Sequence, residues 1–352
     1  MSTPELYRKA WTSFVEERLA ALTHHDWELL EKRMNYSSIA CNKSRSLLHT
    51  YPNVVGVGVS LKVKNNEVTD TPCIVVFVRR KLRIGEVIPE AIPEVVEGIP
   101  TDVVEAGDPV LRQFIRPSPP RPVPPGYSIG HIKVTAGTLG CLVRDRVAKE
   151  ILILSNNHVM ANFNNASIGD PIVQPGPYDG GSHPTDTIAN LVRFKKVVPR
   201  YNTVDAAVAR PIRPNFVTPS IAGGIGIPTG VRRVDRVGIY VQKVGRTTQY
   251  TSGIVVAYNA SIYPINWSGL GGVEFIQCIV TTGMSAGGDS GSLLLDLDKR
   301  AAGLLFAAME IDGKDGVTYY NDIINVQNEL NVDVLTQRDI EKHSISVSDL
   351  VG

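Results

Sequence analysis

Cysteine is scarce in this chain: Cys41, Cys73, Cys141 and Cys278 are the whole complement. No two lie close in sequence, which excludes CxxC metal or redox pairs, and a secreted disulfide scaffold would be denser. Net charge is almost absent. Lys and Arg number 36 and Asp and Glu 35, a formal balance of +1, so there is no electrostatic drive toward nucleic acid or an anionic membrane. Long apolar runs are also missing. The longest near-apolar stretch, Ala301 to Met309, has nine residues, against about 20 for a membrane span. The opening MSTPELYRKAWTSF has no apolar segment after a basic start, so no signal peptide is expected. These absences describe a cytoplasmic protein in a reducing compartment, with neither membrane nor nucleic acid as partner. HExxH, P-loop and EF-hand strings are lacking, and Gly56-Val57-Gly58-Val59 has no third glycine for a dinucleotide fingerprint. No metal or cofactor is expected.

What is present divides the chain into four stretches. Residues 1–50 carry apolar residues at helical spacing (Trp11, Phe14, Val15, Leu19, Leu22, then Trp27, Leu30, Met34) and are expected to be helical. Their stripes suit core packing, or docking of a regulatory protein. Residues 51–112 hold two β-rich runs, Val54–Leu61 and Cys73–Val78, with Pro89 and Pro93 interrupting any long helix between Glu86 and Glu97. A small α/β domain is expected there. The basic run Arg79, Arg80, Lys81, Arg83 reads as a solvated strand end. Residues 113–126 include six prolines between Pro117 and Pro125, the composition of a semi-rigid, polyproline-like linker. From 127 to 352, short β runs alternate with Gly, Pro, Asn and Asp, which argues for barrels or a sandwich rather than βαβ units. Helical spacing returns over Asp322–Leu330.

Three strings in this last stretch carry chemistry. Leu154-Ser155-Asn156-Asn157-His158-Val159 ends a strand in a polar turn bearing a histidine. Val204-Asp205-Ala206-Ala207-Val208 opens a small-residue strand with an aspartate. Gly287-Gly288-Asp289-Ser290-Gly291-Ser292 puts a serine in a glycine-rich turn just before Leu293–Leu295. A serine hydroxyl is a weak nucleophile until an adjacent base takes its proton. Histidine, with an unperturbed pKa of about 6.5, does so near neutrality. A buried aspartate fixes the imidazole tautomer and stabilises the imidazolium. Among competing residues, His183 sits in a Gly/Ser/Pro loop, and Asp170, Asp179 and Asp186 beside Pro, Gly or Thr read as turn aspartates. His158, Asp205 and Ser290 are therefore the candidate triad. The nucleophile-elbow pattern GxSxG is not matched, because Ser292 follows Gly291.

Taken together, LSNNHV, VDAAVA and GGDSGS resemble the chymotrypsin-fold (trypsin-like) serine peptidases over roughly residues 127–335. TAGTLGCLV, VGRTTQYTSGIV and AAGLLFA resemble the intracellular bacterial members and, distantly, the narrow-leaf type proteases of plants. Those relatives also carry a VVGVGV…CIVVFVRRKL segment ahead of the protease. The resemblance implies an all-β, chymotrypsin-like double barrel as the protease domain, preceded by the helical segment and the small α/β domain. It implies an endopeptidase acting on protein or peptide substrates through an acyl-enzyme. It assigns the oxyanion hole to the backbone N–H groups of Gly288 and Ser290. It makes Asp289 the residue that organises the nucleophile loop, and Met284 the base of the primary pocket. Met284 is apolar, so an apolar or small side chain is expected before the scissile bond, unless Glu310 or Asp312 reaches in. In secreted relatives a newly cut N-terminus pairs with the aspartate. Here no Arg or Lys immediately precedes Ile129. Either Asp289 finds an internal cation or the enzyme waits for an allosteric signal. The competing reading is a catalytically silent module that binds a peptide or scaffolds a partner. A fluorophosphonate separates the two readings, since labelling of Ser290 supports the enzyme and no labelling favours the module. Hydrolysis by a His158 base rises through roughly pH 6–7, and a rate flat across that range, measured on a peptide substrate, argues against His158 as the base.

Overall fold

The computed structural model describes residues 46–64, 67–79, 92–96, 98–106, 109–110, 121–311 and 314–342. Nearly all of their regular structure is β-strand, arranged in two sheets. The first sheet has eight strands in the order Val332–Val334, Cys141–Asp145, Ile151–Ser155, Ala207–Pro211, Thr187–Phe194, Pro171–Val173, Ser128–His131, Gly137–Thr138. All of its pairings are antiparallel. In the second, Tyr240–Gly245, Leu293–Asp296, Arg300–Ile311, Lys314–Asp322, Gly271–Thr282 and Gln249–Trp267 follow one another. Tyr240–Gly245 then pairs with Gln249–Trp267 and closes these six into a barrel. The arrangement is that of a chymotrypsin-like double barrel.

Strand alternation explains why the β runs look almost continuously apolar. Successive side chains point to opposite faces, and a strand buried on both faces loses its polar positions. In the first sheet Leu142, Ile153, Ala207 and Ala209 pack inward with Ile129, Ile172 and Ile188. Their neighbours Cys141, Val143, Leu152, Leu154 and Val208 face the other way, onto Leu293, Leu295 and Leu304 of the second barrel. The second face is thus the seam between the barrels. The chain then crosses that seam. Helix Ile323–Leu330, capped by Asp322 accepting from the Ile324 N–H at 2.8 Å, leads to Val332–Val334, which pairs back onto Cys141–Asp145 of the first sheet.

Two expectations change at the N-terminal side. Among the described residues of 51–110 every regular element is a strand, and no separate α/β unit stands apart. Val54–Lys64 pairs with Glu67–Val78 as a hairpin and, on its other edge, with residues 258–262 of the long strand Gln249–Trp267. Ile99–Glu105 adds in parallel to Glu67–Val78. The segment is therefore an extension of the second barrel's own sheet. Its glycines permit the approach: a Cβ on Gly58 would lie 3.2 Å from the Cβ atoms of both Ala257 and Ala260. Val55, Val75 and Phe77 join the barrel cluster, whereas Val54, Val57, Ile74 and Val76 pack under Leu47 and Leu48. The proline-rich stretch is likewise no free spacer over 121–126. Val123 is fully buried, its N–H donates to the Phe216 carbonyl and its carbonyl accepts from Thr218. The helical expectation for 1–50 lies outside the described residues except at 46–50, which are helical. Arg79 directly follows the strand that ends at Val78, and the rest of the basic run lies outside the described residues.

No helix among the described residues is long and apolar enough to cross a membrane. The described cysteines Cys73, Cys141 and Cys278 are buried and form no disulfide. Burial pushes the Cys141 thiol well up, and burial with the Asp102 carboxylate does the same at Cys73. Iodoacetamide at about pH 8 should therefore leave both unlabelled in the folded chain and modify both after denaturation. Peptide mass mapping reads this out, and labelling of Cys141 in the folded protein would contradict the packing.

Candidate functional site

His158 stands in the one-turn helix Asn157–Met160, directly after strand Ile151–Ser155 of the first sheet. Asp205 lies two residues before the flanking strand Ala207–Pro211, whose Ala207 is the register partner of Ser155. Adjacent strand ends thus place the two residues together. His158 Nδ1 is hydrogen-bonded to Asp205 Oδ2, and the His158 backbone N–H donates to Oδ1 at 3.2 Å. One carboxylate holds both the ring and its backbone. Both side chains are buried.

The asparagines of the SNNH string secure this arrangement. Asn156 Nδ2 donates to the Asp205 carbonyl at 2.8 Å. Asn157 Nδ2 donates to Asn164 Oδ1 and to the Lys195 carbonyl, and Asn164 N–H returns a bond to Asn157 Oδ1 at 3.0 Å. From the second barrel, Asn321 Oδ1 accepts from the Asp205 N–H at 2.9 Å. The ring lies between aromatics: Phe163 at 5.7 Å between centroids and Trp267, edge-on, at 6.3 Å. With Asp205 anchored on one nitrogen, the other, Nε2, is buried and has no hydrogen-bond partner among the described residues. An unsatisfied buried nitrogen is rare in folded proteins and calls for a reason.

Ser290 belongs to the second barrel, in the turn before Leu293–Asp296. Its loop is fixed to the first sheet through Gly137–Thr138. Thr138 N–H donates to the Ser290 carbonyl at 2.7 Å, and Thr138 Oγ1 donates to the Gly288 carbonyl at 2.7 Å. Gly137 lies between the two candidate elements. A Cβ there would sit 2.4 Å from Val159 Cγ2 and 3.0 Å from the Ser290 carbonyl oxygen. Gly291, at φ +96°, approaches the first sheet so closely that a Cβ would be 2.2 Å from Ser155 Oγ. The histidine turn and the serine turn therefore rest on the same two-residue strand. Gly288 also holds a left-handed φ of +93°.

Asp289 answers the question of the internal cation. Its carboxylate is buried and ion-paired to Lys243 Nζ at 2.8 Å, with both side chains wholly buried. It also accepts from the Thr247 N–H at 2.8 Å, the Thr248 hydroxyl at 2.6 Å and the Ala286 N–H at 3.0 Å. Next to this network, Arg246 makes a bidentate pair with Asp179, both contacts at 2.6 Å. Asp179 reads in the sequence as a turn aspartate, and it does sit in the short turn Pro177–Asp179. Its side chain is buried, because the Arg246 guanidinium reaches it across the barrel seam. Met284 is buried in the second barrel's core with Leu294, Leu305 and Tyr320, and its sulfur faces Gly253. The side chain of Glu310, and Asp312 as a whole, lie outside the described residues. Sequence patterns gave no role to Lys243, Arg246, Thr138 or Asn321: Thr138 and Arg246 lie inside the TAGTLGCLV and VGRTTQYTSGIV strings without standing out in them, and Lys243 and Asn321 fall in no string.

No family model matches this chain. It is 26% identical over 285 residues to Protein NARROW LEAF 1 of Oryza sativa subsp. japonica, an alignment that takes in 68% of this chain and 48% of that protein. The chain thus spans about half the length of the curated relative it matches. Solved structures similar to it include Thermobifida fusca Protease A, 17% identical with a TM-score of 0.45, covering 61% of this chain and 98% of that one. Another is Nocardiopsis Protease, 17% identical with a TM-score of 0.46, covering 61% of this chain and 99% of that one.

Removing one partner from a buried ion pair leaves an uncompensated charge, at a cost of about 3–5 kcal/mol. Lys243→Met should destabilise by that order in urea unfolding. Adding Asp289→Leu to the same chain should recover much of the loss, since the stranded charge goes with it. Additive losses in the double variant would contradict the coupling.

Proposed function

We propose that this chain is a serine endopeptidase. Ser290 attacks the carbonyl of a peptide bond. His158 takes the hydroxyl proton at Nε2 and later returns it to the leaving amine. Asp205 holds Nδ1, fixes the tautomer and stabilises the imidazolium. The Gly288 and Ser290 N–H groups receive the developing oxyanion. Water then cleaves the acyl-enzyme with His158 again as base.

The observation that carries this reading is the asymmetry of the His158 ring. One nitrogen is committed to a buried carboxylate, while the other is buried without a partner among the described residues, and the turns that bear His158 and Ser290 both rest against Gly137–Thr138. A merely structural histidine would satisfy both nitrogens. Catalytic hydrogen bonds are often long before substrate arrives and tighten in the complex. The aromatic wall of Phe163 and Trp267 limits water around the ring, which strengthens the electrostatics of proton transfer. The Lys243–Asp289 pair supports a nucleophile loop organised from within, with no new N-terminus required. Met284 supports a primary pocket for an apolar or small side chain. Protein substrates, and a regulatory partner acting through residues 1–50, complete the proposal.

The test is kinetic. Ser290→Ala should lower kcat on an apolar peptide library by on the order of 10⁶, as nucleophile removal does in serine peptidases, while the urea midpoint stays near that of the parent. Hydrolysis retained in that variant would remove Ser290 from the mechanism.

A further inference from the structure

Strand Arg300–Ile311 has two edges, and they are used unequally. Lys314–Asp322 lies along one edge for most of its length: Leu304 is opposite Asn321, Leu305 opposite Tyr320, Ala308 opposite Thr318 and Met309 opposite Val317. On the other edge Leu293–Asp296 pairs only as far as Leu304. From Phe306 onward that second edge is left by the sheet's own strands. Pro109–Val110 pairs with this same strand, antiparallel, with Val110 opposite Ala308 and Pro109 opposite Met309. Because Ala308 and Met309 already have Thr318 and Val317 on one side, Pro109–Val110 must occupy the vacated edge.

That edge leads to the candidate nucleophile. The Leu305 carbonyl accepts from the Gly291 N–H at 2.8 Å, and Leu305 N–H donates to the Ser292 carbonyl at 2.9 Å. Gly291, next to Ser290, is thus bonded to Leu305 at the end of the open edge, and Leu305 lies three residues from Ala308, on the order of 10 Å of strand. A peptide that presents its carbonyl to Ser290 while lying extended gains main-chain hydrogen bonds by adding to this edge, the usual mode of extended-peptide recognition. The chain's own residues already take that place.

We propose that Pro109–Val110 is a built-in occupant of the peptide-binding edge, so that the enzyme rests with its substrate cleft partly filled by its own chain. This inference rests on the serine-peptidase reading above. The occupant is tied to the N-terminal β extension. Glu105 ends the strand paired with Glu67–Val78, Ala106 N–H donates to the Val78 carbonyl at 2.8 Å, and Pro109 follows three positions after Ala106. A partner that shifts the extension would withdraw the occupant, and a tight extended substrate would displace it by competition.

The experiment compares two phosphonates on the full chain: a bare fluorophosphonate, which needs only the serine, and a tetrapeptide phosphonate, which also needs the edge. Val110→Pro removes an N–H and fixes φ away from strand values, weakening the occupant. One or two backbone hydrogen bonds are at stake. The tetrapeptide probe should therefore label Val110→Pro about tenfold faster than the parent. The bare probe should label both proteins at the same rate. Equal tetrapeptide rates in the two proteins overturn the occupant while leaving the peptidase standing. Absence of labelling by the bare probe in both overturns the peptidase reading and the occupant with it. Should Val110→Pro fail to unfold cooperatively, Val110→Asp and Val110→Gly give the same comparison, with the same outcomes deciding it.

Discussion

A buried carboxylate organises this site. Asp289 sits beside the candidate nucleophile with no solvent around it, and a carboxylate in that position is tolerated only when it is paired and fully hydrogen-bonded. Lys243 supplies the opposite charge, and Thr247, Thr248 and Ala286 fill the remaining acceptor sites. Those contacts come from strand Tyr240–Gly245, the turn after it and the loop before Ser290. Satisfying one charge thus fixes the conformation of the serine turn. The same turn is fastened from the other side by Thr138, so both barrels constrain it at once. Arg246, in the same turn as Thr247 and Thr248, is locked by Asp179 of the first barrel and extends the same constraint across the seam.

The histidine half obeys the same logic with different atoms. Asp205 accepts from the His158 backbone and ring, and Asn156 and Asn321 hold Asp205 in turn. With Nδ1 committed to Asp205, Nε2 of the imidazole is buried without a partner among the described residues. A chain that left the same nitrogen open by chance would lose stability without return. One that uses it for proton transfer gains a base held in a single orientation, which is the entropic part of catalysis.

Much of this was legible in the sequence because it is local. SNNHV, VDAAV and GGDSGS each encode a strand end, a turn and one reactive group within a few residues. The helix over Asp322–Leu330 carried its own cap and spacing, and the structure begins it at Ile323. What was not legible is non-local. Lys243 lies in a strand where Val241, Gln242 and Val244 are buried as well, so no alternation marks it as inward-facing. Asp179 looks like any Gly-flanked turn residue until Arg246 is brought to it. The segment from Val54 to Glu105 has the composition of a small independent unit, including a parallel strand pair. Its attachment to Gln249–Trp267 depends on an edge nearly 200 positions away (Ser60 Oγ donates to the Val256 carbonyl across 196 residues). No window of sequence contains that information. The pairing of Pro109–Val110 with Arg300–Ile311 was hidden for the same reason.

The central claim is that Ser290 is a nucleophile organised from within the uncut chain. Intact-mass spectrometry after exposure of the purified full-length protein to a small fluorophosphonate, followed by peptide mapping, tests it most directly. The account predicts one adduct, on Ser290, carried by a chain of unshortened mass. An adduct found only on chains that have lost residues from the N-terminal side, or found on a residue other than Ser290, would contradict it.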